Sequence, residues 1–432
     1  MIRRYFLFGL ITLLFTVSNY AQYEQTGGFA RLRGMGNNPY IVDPYFMTVN
    51  PAWGGHYQNF LFGDLGSQQT PWGSGGNGQF VGVNFHLGGG FNLGAMLTRN
   101  DFLGFGISRL DPGGLVGQIN TYLANAGFQA PSPAGYVVPL NNNLELMASL
   151  KTGNTVFGLG VAYASSNSEF APAQGDGAVG SARQLGFNLG IVSKLTGSLL
   201  LDLGASLVMP GADFEPAQGQ TTEFSQTIIL ANARVFWRYS SKLQFVPTVA
   251  FLTASGSSEL GTTNPNGQST STDLPSVTVF TVGLGANYEV GDFLLAGGLG
   301  LASASTTNPG GNNVPETSNS VFVFPAWNLG VEWDLLDWLV GRFGYVATTL
   351  SNSQESANGQ NVDETIFTSF GGPYGVSGTG GGATVGVGFR FGNFSLDATV
   401  NEDVLRQGFN NFGGNGGGAN TFAYISLSYA MP

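Results

Sequence analysis

From Asn143 to Ser165 the chain alternates large apolar residues with small or polar ones on either side of a tight turn at Thr152–Asn154. In the first run Leu144, Leu146, Ala148 and Leu150 share one face, and Glu145, Met147, Ser149 and Lys151 share the other. In the second, Val156, Leu159, Val161 and Tyr163 sit among Gly158, Gly160 and Ala162. Successive strand residues point to opposite sides of a sheet, so a period of two predicts a β-hairpin with one greasy face. The unit recurs from about Asn59 onward. Short turns near Gly88–Gly90, Thr152–Asn154, Thr196–Ser198, Ser240–Lys242, Gly291–Asp292, Leu336–Trp338 and Gly392–Asn393 alternate with long polar connections. Those connections cover 66–77, 99–142, 166–182, 210–227, 256–275, 306–319, 352–382 and 402–420. Seven turns and eight loops in strict alternation predict 16 strands, with both ends of the barrel segment on the short-turn side.

The two faces keep their character from strand to strand. Leu199, Leu201, Leu203, Ala205 and Leu207 oppose Asp202, Gly204 and Ser206; Val385, Val387, Phe389 and Phe391 oppose Gly386, Gly388 and Arg390. Val235, Trp237 and Tyr239 oppose Asn232, Arg234 and Arg238. The second face is charged too often for the core of a sandwich, and the first is too uniformly apolar for water. Apolar-out, polar-in strands with short turns at one end and long loops at the other describe an all-β, antiparallel up-and-down transmembrane barrel. Lipid enforces closure, because an open sheet edge in hydrocarbon leaves backbone groups unpaired. A secreted sandwich or propeller leaves the turn-and-loop alternation unexplained, and no blade-like repeat is present.

Composition agrees. Charged residues are 9% of 432, glycine supplies 68 positions, and cysteine is absent, which excludes a disulfide framework and thiol chemistry. A net charge of −11 with no basic cluster excludes a nucleic-acid partner. Residues 1–21, with Arg3 and Arg4 ahead of the apolar run Tyr5–Val17 and Ala21 before Gln22, read as a signal peptide. No later stretch reaches the roughly 18 apolar residues of a membrane helix. The expected location is the bacterial outer membrane with the long loops extracellular and membrane lipid as surroundings. Lys151, Lys194 and Lys242 lie beside short turns, as do Trp237, Tyr239, Trp333 and Trp338, a candidate aromatic girdle. Asp213, Glu215, Glu223, Asp363, Glu364, Glu402 and Asp403 place an acidic mouth in the long loops.

No catalytic constellation is legible, so no enzyme and no cofactor is expected. His56 and His86 are the only histidines, and neither has a carboxylate or cysteine at metal-ligand spacing. "GLVGQINTYLANAG", 114–127, predicts a short helix in the longest loop. The expected lumenal ions are Glu145, Lys151, Asp202, Arg234, Arg238, Glu289, Glu332, Asp334, Arg342, Arg390 and Asp397. Glu332 and Arg342 flank one short turn and can pair across it, and Arg390 stands a diagonal step from Asp397.

One segment breaks the strand pattern: "GGFARLRGMGNNPYIVDPYFMTVNPAWGG", residues 27–55. Its glycine-rich start, "RGMG" with Gly34 and Gly36, then Asp43, and "NPAW" at Asn50, Pro51, Ala52 and Trp53 resemble the FadL-like family. These are the long-chain fatty-acid transporters and their relatives, which include accessory barrels of the type IX secretion system in Bacteroidetes-type bacteria. The resemblance covers about 30 residues. It implies a hatch inside the barrel, assigned here to 22–58 with the barrel proper at 59–432, and a ligand that is an apolar small molecule. It also implies an alternative count of 14 strands. The abundant lumenal glycine and sparse charge read as room for a ligand path. Against this transporter stands an accessory barrel whose partner is another envelope protein.

Overall fold

A computed structural model describes residues 27–65, 79–102, 104, 106–128, 130, 135–170, 177–261, 270–310, 315–355, 361–368, 382–400 and 422–432. The leader expected at 1–21 lies outside them. Eighteen strand segments form one antiparallel sheet closed on itself. In chain order they are β1 (Phe60–Asp64), β2 (Phe80–Gly88), β3 (Phe91–Arg99), β4 (Asn142–Thr152), β5 (Thr155–Phe170), β6 (Ala178–Thr196), β7 (Leu199–Glu215), β8 (Thr222–Arg238) and β9 (Leu243–Leu260). They continue with β10 (Thr270–Asp273), β11 (Ser276–Val290), β12 (Phe293–Asn308), β13 (Thr317–Leu336), β14 (Leu339–Glu355), β15 (Asn361–Thr368), β16 (Gly382–Phe391), β17 (Phe394–Val400) and β18 (Phe422–Ala430). β10 and β11 lie end to end along β9, and β15 and β16 along β14. Counting each pair as one staves leaves a 16-stranded barrel, not 14, sealed where β1 pairs with both β2 and β18.

All seven short turns fall where the alternation places them. Gly153, Gly291 and Gly392 sit at φ near +60, the left-handed conformation that two-residue hairpins require. Next to these turns Trp237, Tyr239, Trp333 and Trp338 are exposed on the outer wall, and Trp333 stacks on Phe293 at 5.1 Å. On the outer face Leu144, Leu146 and Leu150 of β4 and Phe157, Leu159 and Tyr163 of β5 are exposed, whereas Val156 turns inward with the glycines and is buried.

The long connections differ from expectation. β5 continues to Phe170, β7 to Glu215 and β9 to Leu260, while β8 begins at Thr222 and β13 at Thr317. The apolar pattern stops earlier than the hydrogen-bonded ladder does. On β5 the outward series Phe157, Leu159, Val161, Tyr163 gives way to Ser165, Asn167 and Glu169, which pair with β6 just as regularly. Serine and threonine sustain a ladder in water as well as in lipid, so strands outrun the belt. The 20 residues of β13 span ~66 Å along the strand and ~50 Å of height once tilted, against an apolar band of about 25 Å. Asp213, Glu215 and Glu223 therefore belong to this raised wall rather than to loops, Asp363 and Glu364 belong to β15, and Glu402 and Asp403 lie outside the described residues.

The bore is filled. Residues 27–57 run through the lumen as helix α1 (Phe29–Gly34) and two 3-10 turns, Pro44–Thr48 and Pro51–Gly55. Leu32, Met35, Tyr45, Phe46, Trp53 and Tyr57 form a buried core with wall residues such as Phe62, Met147, Phe236 and Val246. Higher up, the β3–β4 connection folds inward. Its helix α2 (Leu115–Ala126), capped by the Asp111 carboxylate on the Leu115 amide at 2.7 Å, buries Leu115, Ile119 and Leu123 against Ala182, Ala212, Phe214 and Phe224 on the inner wall. The predicted helix is thus an internal cover over part of the mouth.

Candidate functional site: a plug tied to the barrel wall

Asn50 begins the second 3-10 turn. Its backbone is extended, Pro51 follows with its fixed φ, and the Asn50 Oδ1 accepts the Ala52 amide at 2.9 Å. That capping frees Nδ2 to face the wall, where it donates to Asp202 Oδ1 at 2.6 Å and to the Leu203 carbonyl at 2.9 Å. The fully buried Trp53 donates its indole N–H to Asp202 Oδ2 at 3.2 Å and meets Phe236 edge-on at 6.5 Å. Arg234, opposite Asp202 in the β7–β8 register, closes the node with bonds of 2.8 and 2.6 Å to the same oxygen. Its remaining nitrogen reaches the Pro39 carbonyl at 3.1 Å, and its guanidinium lies 3.6 Å over the Phe46 ring. One buried aspartate therefore gathers two donors from the plug and an arginine from the wall.

A second node holds α1. Arg31 makes a two-pronged pair with Glu332, 2.9 Å on each arm, the geometry that suits guanidinium to carboxylate. Glu332 also accepts from Arg342 at 2.5 Å across the β13–β14 register, as the sequence spacing suggests. Arg342 in turn is ion-paired with Asp397 at 2.6 Å. On the plug side Arg31 contacts Asp43 at 3.3 Å and the Val42 carbonyl at 3.0 Å. Asp43 caps the first 3-10 turn by accepting the Tyr45 amide at 2.9 Å. The chain Asp397–Arg342–Glu332–Arg31–Asp43 carries three carboxylates for two guanidiniums. Burial pushes Asp43 up to about 7 against the pull of Arg31 and the Tyr45 amide, with a smaller upward push from Asp397.

Wall asparagines complete the fastening by donating to plug carbonyls that the 3-10 turns leave open. Asn84 reaches Gly54 and Tyr57 at 2.8 and 2.6 Å, Asn188 reaches Val49 at 3.0 Å, and Asn287 reaches Tyr40 at 2.7 Å. The lumenal glycines are slots for the plug. A Cβ at Gly158 would overlap the Ala52 backbone, at Gly190 the Asn50 side chain, at Gly285 the Tyr40 ring, and at Gly344 the Gly36 backbone. Gly36 itself has φ +72 and Gly34 packs on Gly386. The sequence expectation that lumenal glycine leaves a ligand path is corrected here: the plug occupies that space.

Other expected lumenal ions serve elsewhere. Glu145 bonds Ser108 of the inward-folded β3–β4 connection. The diagonal Arg390–Asp397 pairing is replaced: the register sets Asp397 opposite Gly388, its carboxylate pairs with Arg342, and Arg390 reaches Asp334 at 3.0 Å. Arg238 lines a cavity at the short-turn end together with His56. His86 bonds Asn92 at 2.9 Å, and no group of three or more metal-ligating side chains occurs among the described residues. Sequence reasoning missed Arg31 and the three asparagines. Arg31 had a signal, being a cation in a glycine-rich segment assigned to the barrel interior, where a charge needs a partner.

No protein-family model matches the chain, and no curated protein matches it in sequence. Among solved structures it is similar to the toluene transporter TodX of Pseudomonas putida, at 10% identity and a TM-score of 0.38, over 97% of this chain and 100% of that one. It is also similar to BauA, the ferric preacinetobactin receptor of Acinetobacter baumannii, at 11% identity and a TM-score of 0.43, over 79% of this chain and 53% of that one. The FrpB iron transporter of Neisseria meningitidis is a third, at 11% identity and a TM-score of 0.40, over 81% of this chain and 62% of that one.

Proposed function

We propose that this chain is an exported outer-membrane barrel, long connections outward, that passes hydrophobic or poorly soluble small molecules and is gated by its N-terminal hatch. The observation that carries the proposal is the plug itself. A single continuous segment closes the bore, seats in glycine slots of the wall, and is tied there by the Asp202 and Glu332 nodes. Of the voids that border the plug, the one lined by Tyr40, Gly283, Gly300 and Thr348 is about 100 Å³ and the one lined by Val42, His56 and Arg238 about 220 Å³, both below the roughly 300–1,000 Å³ of ligand pockets. Passage therefore requires the hatch to move. Uptake of apolar solutes into liposomes, comparing the intact protein with one lacking 27–49, tests this; faster uptake by the deletion variant is expected. For orientation, a tag at Gly153 should be hidden from antibody on intact cells, and one in the 262–269 connection should be reached.

The wall above the apolar belt favours a second reading, an accessory barrel that partners another envelope protein. Strands β6–β9 present outward serine, threonine and carboxylate positions there, a strand-built polar surface that transport does not require. Stoichiometric copurification with an envelope protein, with no solute movement by either form, would replace the transporter reading with this one.

A further inference from the structure

The β3–β4 connection crosses the bore between the plug and helix α2, and the inner face of β6 shows the order. From the short-turn end, Gly190 receives the Asn50 side chain, Asn188 donates to the Val49 carbonyl at 3.0 Å, Ile107 fills the slot at Gly186, and Gln184 holds the segment beyond. Ala182, next in line, packs in the cluster around α2. Residues 106–111 are thus a strap laid directly on the plug. Wall side chains fasten it. Gln184 donates to the Arg109 and Ile107 carbonyls at 2.7 and 3.3 Å and accepts the Asp111 amide at 2.9 Å. Asn143 donates to the Ile107 carbonyl at 3.2 Å, Thr98 donates to the Ser108 carbonyl at 2.9 Å, and Glu145 accepts from the Ser108 hydroxyl. Ile107 and Ser108 are fully buried. The underside of the strap fits the plug. Gly106, at φ +112, leaves no room for a Cβ against the Thr48 carbonyl, and Gly104 leaves none against the Tyr45 hydroxyl. Phe102 belongs to the plug's own core; it meets Phe80 at 5.3 Å, and Phe80 meets Tyr45 at 6.3 Å.

We propose that this strap couples the long-connection end of the barrel to the plug, so that lifting the strap lowers the cost of releasing the plug. The two share the Gly106–Thr48 and Phe102 contacts. Releasing the plug removes the strap's floor, and coupled equilibria are reciprocal. Asp111 extends the line outward: its amide is held by Gln184, and its carboxylate caps α2 at the Leu115 and Val116 amides, 2.7 and 3.0 Å away. A ligand or partner that displaces α2 therefore pulls on the strap. The fastenings are graded for that order. Apart from Glu145, neutral amides and hydroxyls hold the strap, whereas the plug's two nodes are charge-assisted and such bonds are roughly twice as strong. The inference deepens the hatch reading and rests on it for its use, but amide exchange needs no solute, so uptake and coupling can fail separately.

The test is hydrogen exchange of the full-length folded barrel from both sides of the contact. Asn143→Ala/Gln184→Ala removes two strap fastenings whose hydrogen bonds go to the strap and not to the plug. The plug amides of Phe46, Val49 and Asn50, each bonded within the plug, should then exchange about tenfold faster or more. Conversely, deleting 27–49 should speed the Asp111 amide, which touches the wall at Gln184, by about tenfold. Amides of β8 and β9 should change little in either variant. Each variant is first shown to be folded by its heat-sensitive migration on gels; Gln184→Ala alone, or Asp202→Ala in place of the deletion, serves where that check fails. Unchanged plug exchange in the strap variant overturns the inference, as does an Asp111 amide no faster once the plug is gone. Equal acceleration throughout β8 and β9 assigns the effect to a loosened barrel and overturns it as well.

Discussion

Removing the Asp202 carboxylate, as in Asp202→Ala, should unseat the plug more than any single change on the plug itself. Asp202 and Arg234 are both almost completely excluded from solvent and share two bonds of 2.6 and 2.8 Å. Breaking a buried pair from one side strands the other charge and costs about 3–5 kcal/mol. The substitution also strips the Trp53 indole and one Asn50 N–H of their acceptor, but these losses overlap with the first and do not add to it. At ~1.4 kcal/mol per tenfold, the population with the plug released should rise by roughly two to three and a half powers of ten. Hydrogen exchange of amides 40–57 in the folded barrel reads that population directly. The double variant Asp202→Leu/Arg234→Met removes both charges and should recover most of the protection, giving a coupling energy of at least ~2 kcal/mol in the cycle. If Asp202→Ala leaves plug exchange unchanged, or if the double variant is as unprotected as the single, the node does not hold the plug and the reasoning fails.

Gly158→Val should expel the second 3-10 turn, since a side chain there overlaps the Ala52 backbone; the barrel should still fold, and protease should cut within 40–57. Leu203→Arg, outward in the apolar belt, should cost about 2–4 kcal/mol in a lipid-vesicle folding titration, whereas Ser255→Arg, exposed on the wall above the belt, should cost near nothing. Equal sensitivity of the two would refute the assignment of the belt; Ser206, buried in the filled lumen, is unsuitable as the tolerant control. Asp43, raised from 3.8 to about 7, stabilises the seated plug fully below pH 3.8 and loses that contribution as pH rises through 7. His56, lowered from 6.5 to about 4, contributes fully above pH 6.5 and loses it as pH falls through 4. The slopes oppose each other between about pH 4 and 6.5, so plug exchange should be flat there in the parent, tighten on acidification in His56→Gln, and loosen in Asp43→Asn; identical profiles in all three would exclude both groups.

The barrel was legible because lipid imposes a rule on every strand. An outward residue must be apolar, so the period of two survives at each of the seven hairpins and the turns between them stand out. Above the belt that rule lapses: Ser165, Asn167 and Glu169 look like loop, yet the ladder holds them as strand. β-Structure there depends on pairing with a neighbour, which a single sequence does not display. The plug was partly legible. Asn50, Pro51 and Asp43 advertise capped turns, and the Glu332–Arg342 pair follows from cross-strand spacing. Which wall residue meets which plug residue depends on contacts far apart in sequence, such as Trp53–Asp202 at 149 residues and Arg31–Glu332 at 301. No local pattern encodes those. Glycine misled for a related reason: an absent side chain signals that something needs the space, without saying whether it is a ligand or the chain itself.

The two nodes also say something about how the plug can leave. If it withdraws, Asp202 keeps Arg234 and Glu332 keeps Arg342, while Arg31 and Asp43 depart together. The Glu332 cluster divides along the plug–wall boundary into halves that each keep a cation with a carboxylate, and the Asp202 cluster leaves both of its charges paired on the wall. Withdrawal then forfeits hydrogen bonds to charged groups, about 1.5–3 kcal/mol each, rather than leaving an isolated ion in a dry cavity. This separates two kinds of substitution at one site. Asn50→Ala and Trp53→Phe remove plug-side donors and leave the Asp202–Arg234 pair intact, so each should loosen the plug by about 1–3 kcal/mol. Asp202→Ala breaks the pair that withdrawal would preserve, and should exceed both. A plug fixed permanently in the bore has no need of such a division; one that must release and reseat has, because neither state then contains an unpartnered buried charge at these nodes.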